Sequence, residues 1–343
     1  MTEHIATRKR MGYGPHAMAI FDDPQPGRPY VLAQAESSET LDRIETGLID
    51  RLFRAHGAIL FRGFAMDVDR FDLFARRFCA TSVINESPGR APIAPDAGIL
   101  SVDGGTNAFP LHPELSREPW KPDVAMFACF RAPRSGGATT ICDGVALVRQ
   151  MPAHVREGLA NRRLVHVQGT WPALLRFWLG TDQPSDALLD DLPDTCPYRF
   201  ARTPGGIARI FSRPALHKPL FTDDAAFGNF LLFARFNNGR PDFPVLDDGQ
   251  PVPEDWLQAI KATGDRLSCA IDWRDGDLLM LDNSRFMHGR TAIIDTAERH
   301  IATFFGYLRN APANPEEPPR PIWRESDFRP PAPPAWAGMA QAR

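Results

Sequence analysis

Two short segments carry the side chains best suited to hold a metal ion. The first is Leu111-His112-Pro113-Glu114-Leu115, a His-x-Glu pattern. On an extended chain, positions i and i+2 point to one face, so His112 and Glu114 can reach a common ion. Pro113 removes a ladder donor between them and places the pair at a strand edge or end. The second segment runs from Trp273 through apolar Leu278–Leu281 to Asp282-Asn283, and on to Met287-His288-Gly289-Arg290. Each has a bland reading: a histidine beside a carboxylate arises by chance, and one histidine after a strand is more often structural. Together they supply two imidazoles and one carboxylate. That donor set occupies one face of a non-haem Fe(II) and leaves the other positions open. Structural zinc would ask for four closed ligands.

A second layer of polar groups lies close by in sequence. Arg299 follows His288 by 11 residues, at the head of the apolar run His300–Phe305. A guanidinium near such a metal can grip the far carboxylate of a dicarboxylic acid through two parallel bonds. Ser135-Gly136-Gly137-Ala138-Thr139-Thr140 closes a loop, with Thr139 27 residues after His112. The Thr139 hydroxyl can reach the same carboxylate, although alone the glycines read as a turn and Thr139 as a strand residue. Asn107, Arg285, Arg290 and the loop Ser82–Arg90 are candidates to face a substrate pocket. For each, a solvated loop position is an equally good account.

The elements that must position these groups are mostly strands. Strand-like runs occur at 30–33, 58–61, 123–130, 164–168, 207–211, 229–236, 267–273, 277–282 and 300–308. Ser38 can cap a helix carrying Leu41, Ile44, Leu48 and Leu52 at helical spacing, with Gly57 where it should stop. Phe71, Phe74 and Phe78 mark a second helix whose stripe is core packing. One further helical region stands out at about 143–160, and the stretch from 170 to 229 shows little pattern. Many strands with a few helices near the N-terminus predict a mainly β fold, a sandwich or jelly roll with flanking helices. Residues 1–29 read as irregular, 30–310 as a single domain, and 311–343 as a proline-dense tail that wraps or dangles. The loop from Ser82 to Asn107 is long enough to call for a functional reason.

Composition narrows the function classes. The 343 residues carry 39 basic and 42 acidic side chains, for a formal charge of −3. That balance argues against nucleic acid, whose phosphates ask for clustered cations. Neither glycine-rich nucleotide fingerprint is present. No run approaches the ~18 apolar residues of a membrane span, and the N-terminus lacks the apolar core of a signal peptide. Five cysteines without a C-x-x-C pair read as reduced, mostly buried thiols. The expectation is a soluble cytoplasmic protein, its oligomeric state undefined. Proline is the outlier at 33 residues, nine of them in 311–343.

Taken in order, these segments resemble the Fe(II)/2-oxoglutarate-dependent dioxygenases of the taurine dioxygenase type. Gly57–Phe64 resembles the family's early strand, Leu111–Leu115 its His-x-Asp/Glu motif, Cys129–Thr139 its Gly-Gly-x-Thr loop, and Asp282–Arg290 with Arg299 its closing segment. The resemblance implies a double-stranded β-helix, a distorted jelly roll, with iron held at its open end. It implies His112, Glu114 and His288 as iron ligands, and Thr139 and Arg299 as partners of the far carboxylate of 2-oxoglutarate. With Fe(II), 2-oxoglutarate and O₂, such an enzyme hydroxylates a small-molecule substrate and releases succinate and CO₂. Two departures stand out. Glu114 replaces the Asp of taurine dioxygenase and resembles the subgroup acting on free or carrier-tethered amino acids in peptide natural-product pathways. Thr303 replaces a second arginine found four residues after the first in many members, near the co-substrate's C1 carboxylate.

Rival readings keep the residues but change their use. The same oxidant can desaturate or cyclise, although retention of Glu114 argues against halogenation. A jelly-roll hydrolase or isomerase independent of O₂ needs the triad but has no use for Arg299 and Thr139. A binding module needs none of them.

Overall fold

The computed structural model describes residues 9–10, 19–36, 40–85, 87, 89–295, 299–326 and 328–334. Its centre is a set of strands buried on both faces. In Ala58–Arg62, Val124–Arg131, Leu278–Asp282 and His300–Leu308 nearly every residue is apolar. A strand so composed cannot sit on a surface, because either face would expose it. Alternate residues divide between two cores. Ile59, Phe61, Met126, Met280 and Phe304 face one way, against Phe53, Phe71 and Phe74 from two helices. Leu60, Phe127, Leu279, Leu281 and Phe305 face the other way, toward Ile141, Ile271 and Phe286 of a second sheet.

These strands lie in a ten-stranded sheet, the four running in the order Ala58–Arg62, Leu278–Asp282, Val124–Arg131, His300–Leu308. The facing sheet has four strands, in the order Cys269–Ile271, Thr139–Asp143, Phe286–Arg290, Phe109–His112. The far side of this smaller sheet offers Leu111, Cys142 and Met287 to a third core shared with helices Gly144–Gln150, Ala153–Leu159 and Glu254–Leu267. Two facing sheets flanked by helices make the expected distorted jelly roll. A separate four-stranded sheet, Arg199–Thr203, Gly206–Pro214, Arg163–Gly169 and Val245–Leu246, stands beside it.

The N-terminal helices follow their sequence signals. Thr46–His56 ends at Gly57, whose φ of 75° is the left-handed cap that glycine adopts without strain. Val68–Phe78 buries Phe71, Phe74 and Phe78, and Asp67 caps it by accepting from the Arg70 N–H. Ser38, expected to cap the first helix, lies outside the described residues. At the sheet's end Asp277, fully buried, accepts two bonds from Arg62 at 2.7 and 3.0 Å.

Several expectations need correction. The run 229–236 was expected as a strand; Leu231–Phe236 is a helix, because apolar runs this short do not reveal their period. Met151-Pro152 splits the helical region 143–160 in two. Three more helices, Pro172–Leu179, Asp186–Asp190 and Glu254–Leu267, fall where no helix was expected, the first and last headed by a proline near the first turn. The first 29 residues contribute the strand Ala19–Asp22, paired with Val31–Ala35. The C-terminal segment wraps: Trp323 is 3% exposed within the second core, so packing does not stop at residue 310. All five cysteines are free. Among the described residues no helix is long and apolar enough to cross a membrane.

Candidate metal centre and its cavity

The strand Phe109–His112 forms the edge of the smaller sheet, and His112 is its last residue. Its neighbour Phe286–Arg290 runs antiparallel, with His288 directly opposite His112. Residues paired across strands present their side chains to the same face. The two imidazole rings accordingly lie 4.7 Å apart between centroids. Pro113 ends the strand and the chain turns, bringing Glu114 back beneath them. Asn283 fixes that turn: its Oδ1 accepts from the Glu114 N–H at 2.8 Å, and its Nδ2 donates to the carbonyls of Pro122 and Glu114 at 2.9 and 3.2 Å. One donor atom each from His112, Glu114 and His288 then falls within 4.8 Å of the others.

Protonation suits metal binding. Burial holds both histidines below the ordinary imidazole range, His288 well below it, with the charges of His112 and Arg90 adding to the effect there. Neutral imidazoles keep a lone pair for a metal. The Nδ1 of His112 lies 2.8 Å from the Pro110 carbonyl, so it carries the proton and leaves Nε2 as the ligand atom. His288 Nε2 stands 3.7 Å from Glu114 Oε2. The Glu114 carboxylate is only 2% exposed; Arg90 donates to Oε2 at 3.1 Å and Asn85 to Oε1.

The groups expected to bind a dicarboxylate are also in place. Thr139 and Arg299 line the same cavity as the three metal ligands. Trp273 Nε1 donates to Thr139 Oγ1 at 3.1 Å, which leaves the hydroxyl proton free to donate onward. Burial draws the Arg299 guanidinium down to about 10, with Arg290 the next cause. Its buried Nε has no hydrogen-bond partner among the described residues. A buried guanidinium nitrogen without a partner is costly unless something anionic completes it. The far carboxylate of 2-oxoglutarate is such a group, and the residues fit it. Gly137 makes the room: at φ 66° it passes so close that a Cβ would lie 3.2 Å from Arg299 Nε.

The remaining candidates divide. Arg290 borders the cavity, but its guanidinium donates to the carbonyls of Asp103, Gly105 and Asn107 and stacks 4.3 Å from the Phe109 ring. It latches the 103–107 loop. Asn107 does not line the cavity and contributes its carbonyl to that latch. Arg285 is a correction: it is spent on Asp143, at 2.7 and 3.1 Å, away from the cavity. Sequence reasoning missed Glu118 and Arg209, which pair at 3.0 Å while almost fully buried, with Arg209 over the Trp171 ring. Arg209 lies in the expected strand run 207–211 and Glu118 in an unpatterned segment, and nothing in their spacing pairs them. The whole cavity holds about 810 Å³.

A jelly roll with two imidazoles and a carboxylate at one end, beside a buried arginine and threonine, defines an Fe(II)/2-oxoglutarate oxygenase. Comparison with known proteins agrees. Residues 25–304 match the family described as Taurine catabolism dioxygenase TauD, TfdA family, and the chain belongs to it. It is 25% identical over 261 residues to an alpha-ketoglutarate-dependent 2,4-dichlorophenoxyacetate dioxygenase from Burkholderia sp. (strain RASC), covering 71% of this chain and 79% of the relative. A similarly named protein from Cupriavidus pinatubonensis is 24% identical over 268 residues, covering 73% and 84%. Among solved structures, a taurine dioxygenase from Burkholderia xenovorans superposes with a TM-score of 0.58 at 14% identity, covering 96% of this chain and 99% of that one. The PvcB protein from Pseudomonas aeruginosa does so with a TM-score of 0.57 at 18% identity, covering 87% and 94%. The protein is therefore a dioxygenase that uses Fe(II), 2-oxoglutarate and O₂.

Proposed function

We propose that this enzyme hydroxylates an unactivated C–H bond of a small polar substrate, an amino acid either free or presented on a carrier protein. The observation that carries the reading is the triad of His112, Glu114 and His288 at the base of a cavity large enough for co-substrate and substrate together. When bound, Fe(II) with 2-oxoglutarate and O₂ supplies the oxidant, and the co-substrate leaves as succinate and CO₂.

The chain's own residues do the rest. His112 and His288 stay neutral and face the ion. Arg90 and Asn85 fix the position of the Glu114 side chain by donating to its two oxygens. Arg299 and Thr139 take the far carboxylate of 2-oxoglutarate and so set its orientation. Phe127 and Phe233, whose rings lie 5.0 Å from His288 and 4.5 Å from His112, exclude water from the ligands. The glutamate ligand and the polar cavity groups Asn85, Asn237, Asn238 and Glu118 support an amino-acid substrate.

One observation favours a second reading. The two named relatives are 2,4-dichlorophenoxyacetate dioxygenases, and aromatic residues such as Trp171, Phe230 and Phe233 wall part of this cavity. An aryl-bearing carboxylic acid would suit that wall. A succinate-release screen over free amino acids, carrier-bound amino acids and aryloxy acids tests both. Coupling to an amino acid supports the first, coupling to aryloxy acids alone the second, and coupling to neither class rejects both.

A further inference from the structure

The family match ends at residue 304, yet part of the cavity wall is built from the chain beyond it. Trp323 is buried in the second core, and Arg324 binds Asp123 through two bonds of 2.9 Å and Glu317 through two, of 2.6 and 3.2 Å. This anchor sets the path of residues 328–334. The Phe328 N–H donates to the Glu325 carbonyl at 3.2 Å. The Phe328 ring then stands 5.5 Å from Trp120, 6.0 Å from Phe177 and 6.3 Å from Trp178. Phe328 and Pro330, Pro331, Pro333 and Pro334 line the same cavity as the metal ligands.

The chemistry of that wall is distinctive. Prolines have no N–H, so the segment offers the cavity rings and few backbone donors, with φ already fixed. Arg329, the one charged residue here, turns its Nη1 back to the Phe328 carbonyl at 2.8 Å. Sharing one cavity with the polar side chains of His112, Glu114 and His288, such a surface stays dry and receives apolar matter best.

We propose that residues 328–334 form a specificity wall that seats the substrate's non-reacting end, an apolar and preferably planar group, with Phe328 as the residue that selects it. This rests on the oxygenase reading above and adds to it a substrate class: a polar, reacting end joined to an aryl or similarly flat end.

The test uses the full chain with Phe328→Ala, Phe328→Leu and Phe328→Trp. Each is loaded anaerobically with Fe(II) and 2-oxoglutarate, and substrate binding is read as a change in the visible charge-transfer band. The probes are two pairs, phenylalanine against alanine and 2,4-dichlorophenoxyacetate against acetate. The wild type should bind the aryl member of at least one pair about tenfold more tightly than its short partner. Phe328→Trp should keep that ratio, Phe328→Leu reduce it and Phe328→Ala abolish it, all with 2-oxoglutarate affinity within about twofold of wild type. Equal binding of both members, absence of aryl binding, or an unchanged ratio in Phe328→Ala overturns the proposal. So does a loss of 2-oxoglutarate affinity in all three variants, which would make Phe328 merely structural. Failure of the wild type to give any band with 2-oxoglutarate is a different result and sinks the oxygenase reading itself.

Discussion

Arg90 places its Nη1 3.0 Å from the Oγ1 of Thr303. Thr303 is the position at which many members of the family carry a second arginine, and here a guanidinium arrives at that spot from the 82–107 excursion. Expected as a loop, that excursion carries the strands Pro92–Ala94 and Ile99–Ser101 at the edge of the ten-stranded sheet. The guanidinium is fixed on three sides, by Thr303, by Glu114 Oε2 at 3.1 Å and by the Phe305 ring at 5.1 Å. The loop whose length called for a functional reason therefore delivers a cation to the metal centre.

Arg90→Ala is expected to weaken metal and 2-oxoglutarate binding together, by about 10- to 100-fold, since it removes a charge-assisted bond from a buried carboxylate. Titration with Mn(II) and calorimetry with 2-oxoglutarate check this. Arg90→Lys should restore part of the affinity but not the paired geometry. Wild-type affinity in Arg90→Ala would show that the contact is ornamental.

Arg299→Ala should separate the two ligands. Loss of the guanidinium costs a bidentate carboxylate contact, so 2-oxoglutarate affinity should fall about 10- to 100-fold while Mn(II) binding stays near wild type. His288→Ala should lose metal binding and, with it, the charge-transfer band. Equal effects of both changes on Mn(II) would contradict the division of labour between them.

Asn283→Ala leaves the Glu114 N–H and two carbonyls inside the protein without partners. Orphaning buried backbone groups costs about 1–3 kcal/mol each at most. Tm should drop by several degrees, and Mn(II) affinity should drop as well because Glu114 loses its fixed turn. Differential scanning calorimetry with and without Mn(II) separates the two effects.

Acid stability should hinge on two histidines remote from the metal. Burial pushes His166 down to about 3 and His217 down to about 4, with Arg213 and Lys121 the next causes. A histidine depressed in the folded state contributes stability that is complete above its ordinary value near 6.5 and lost as pH falls toward the folded value. Asp282, raised to about 6 by burial, acts with the opposite sign and regains stability between pH 6 and 4. Two groups against one predict a falling Tm from pH 7 to 5. His166→Leu should flatten that fall; a slope identical to wild type would remove His166 from the account.

Much of this was readable before the structure because it depends on pattern. Strands buried on both faces need unbroken apolar runs, so Val124–Arg131 and His300–Leu308 declare themselves. His112 ends its strand with Glu114 just past it, while His288 sits in the middle of Phe286–Arg290, and both His-x-Glu and His-Gly stand out against apolar flanks. Arg299 stands just before the apolar strand His300–Leu308 and Thr139 opens Thr139–Asp143 after a Gly-Gly turn, so each carries a local mark. Leu231–Phe236 was misread because six residues, five of them apolar, have no visible period. Arg285 looked suited to the pocket by its place beside His288, but a side chain's partner across 142 residues, here Asp143, leaves no local trace. Arg209 and Glu118 were invisible for the same reason.

The pairing of His112 with His288 has a consequence for folding. Their strands are adjacent at the edge of the smaller sheet, and a slip of one residue would send one imidazole to the opposite face. A chain that grips a metal with both rings has therefore already aligned that edge correctly. An ion held there would act as a proofreader of strand alignment, favouring the one pairing that brings both imidazoles to it.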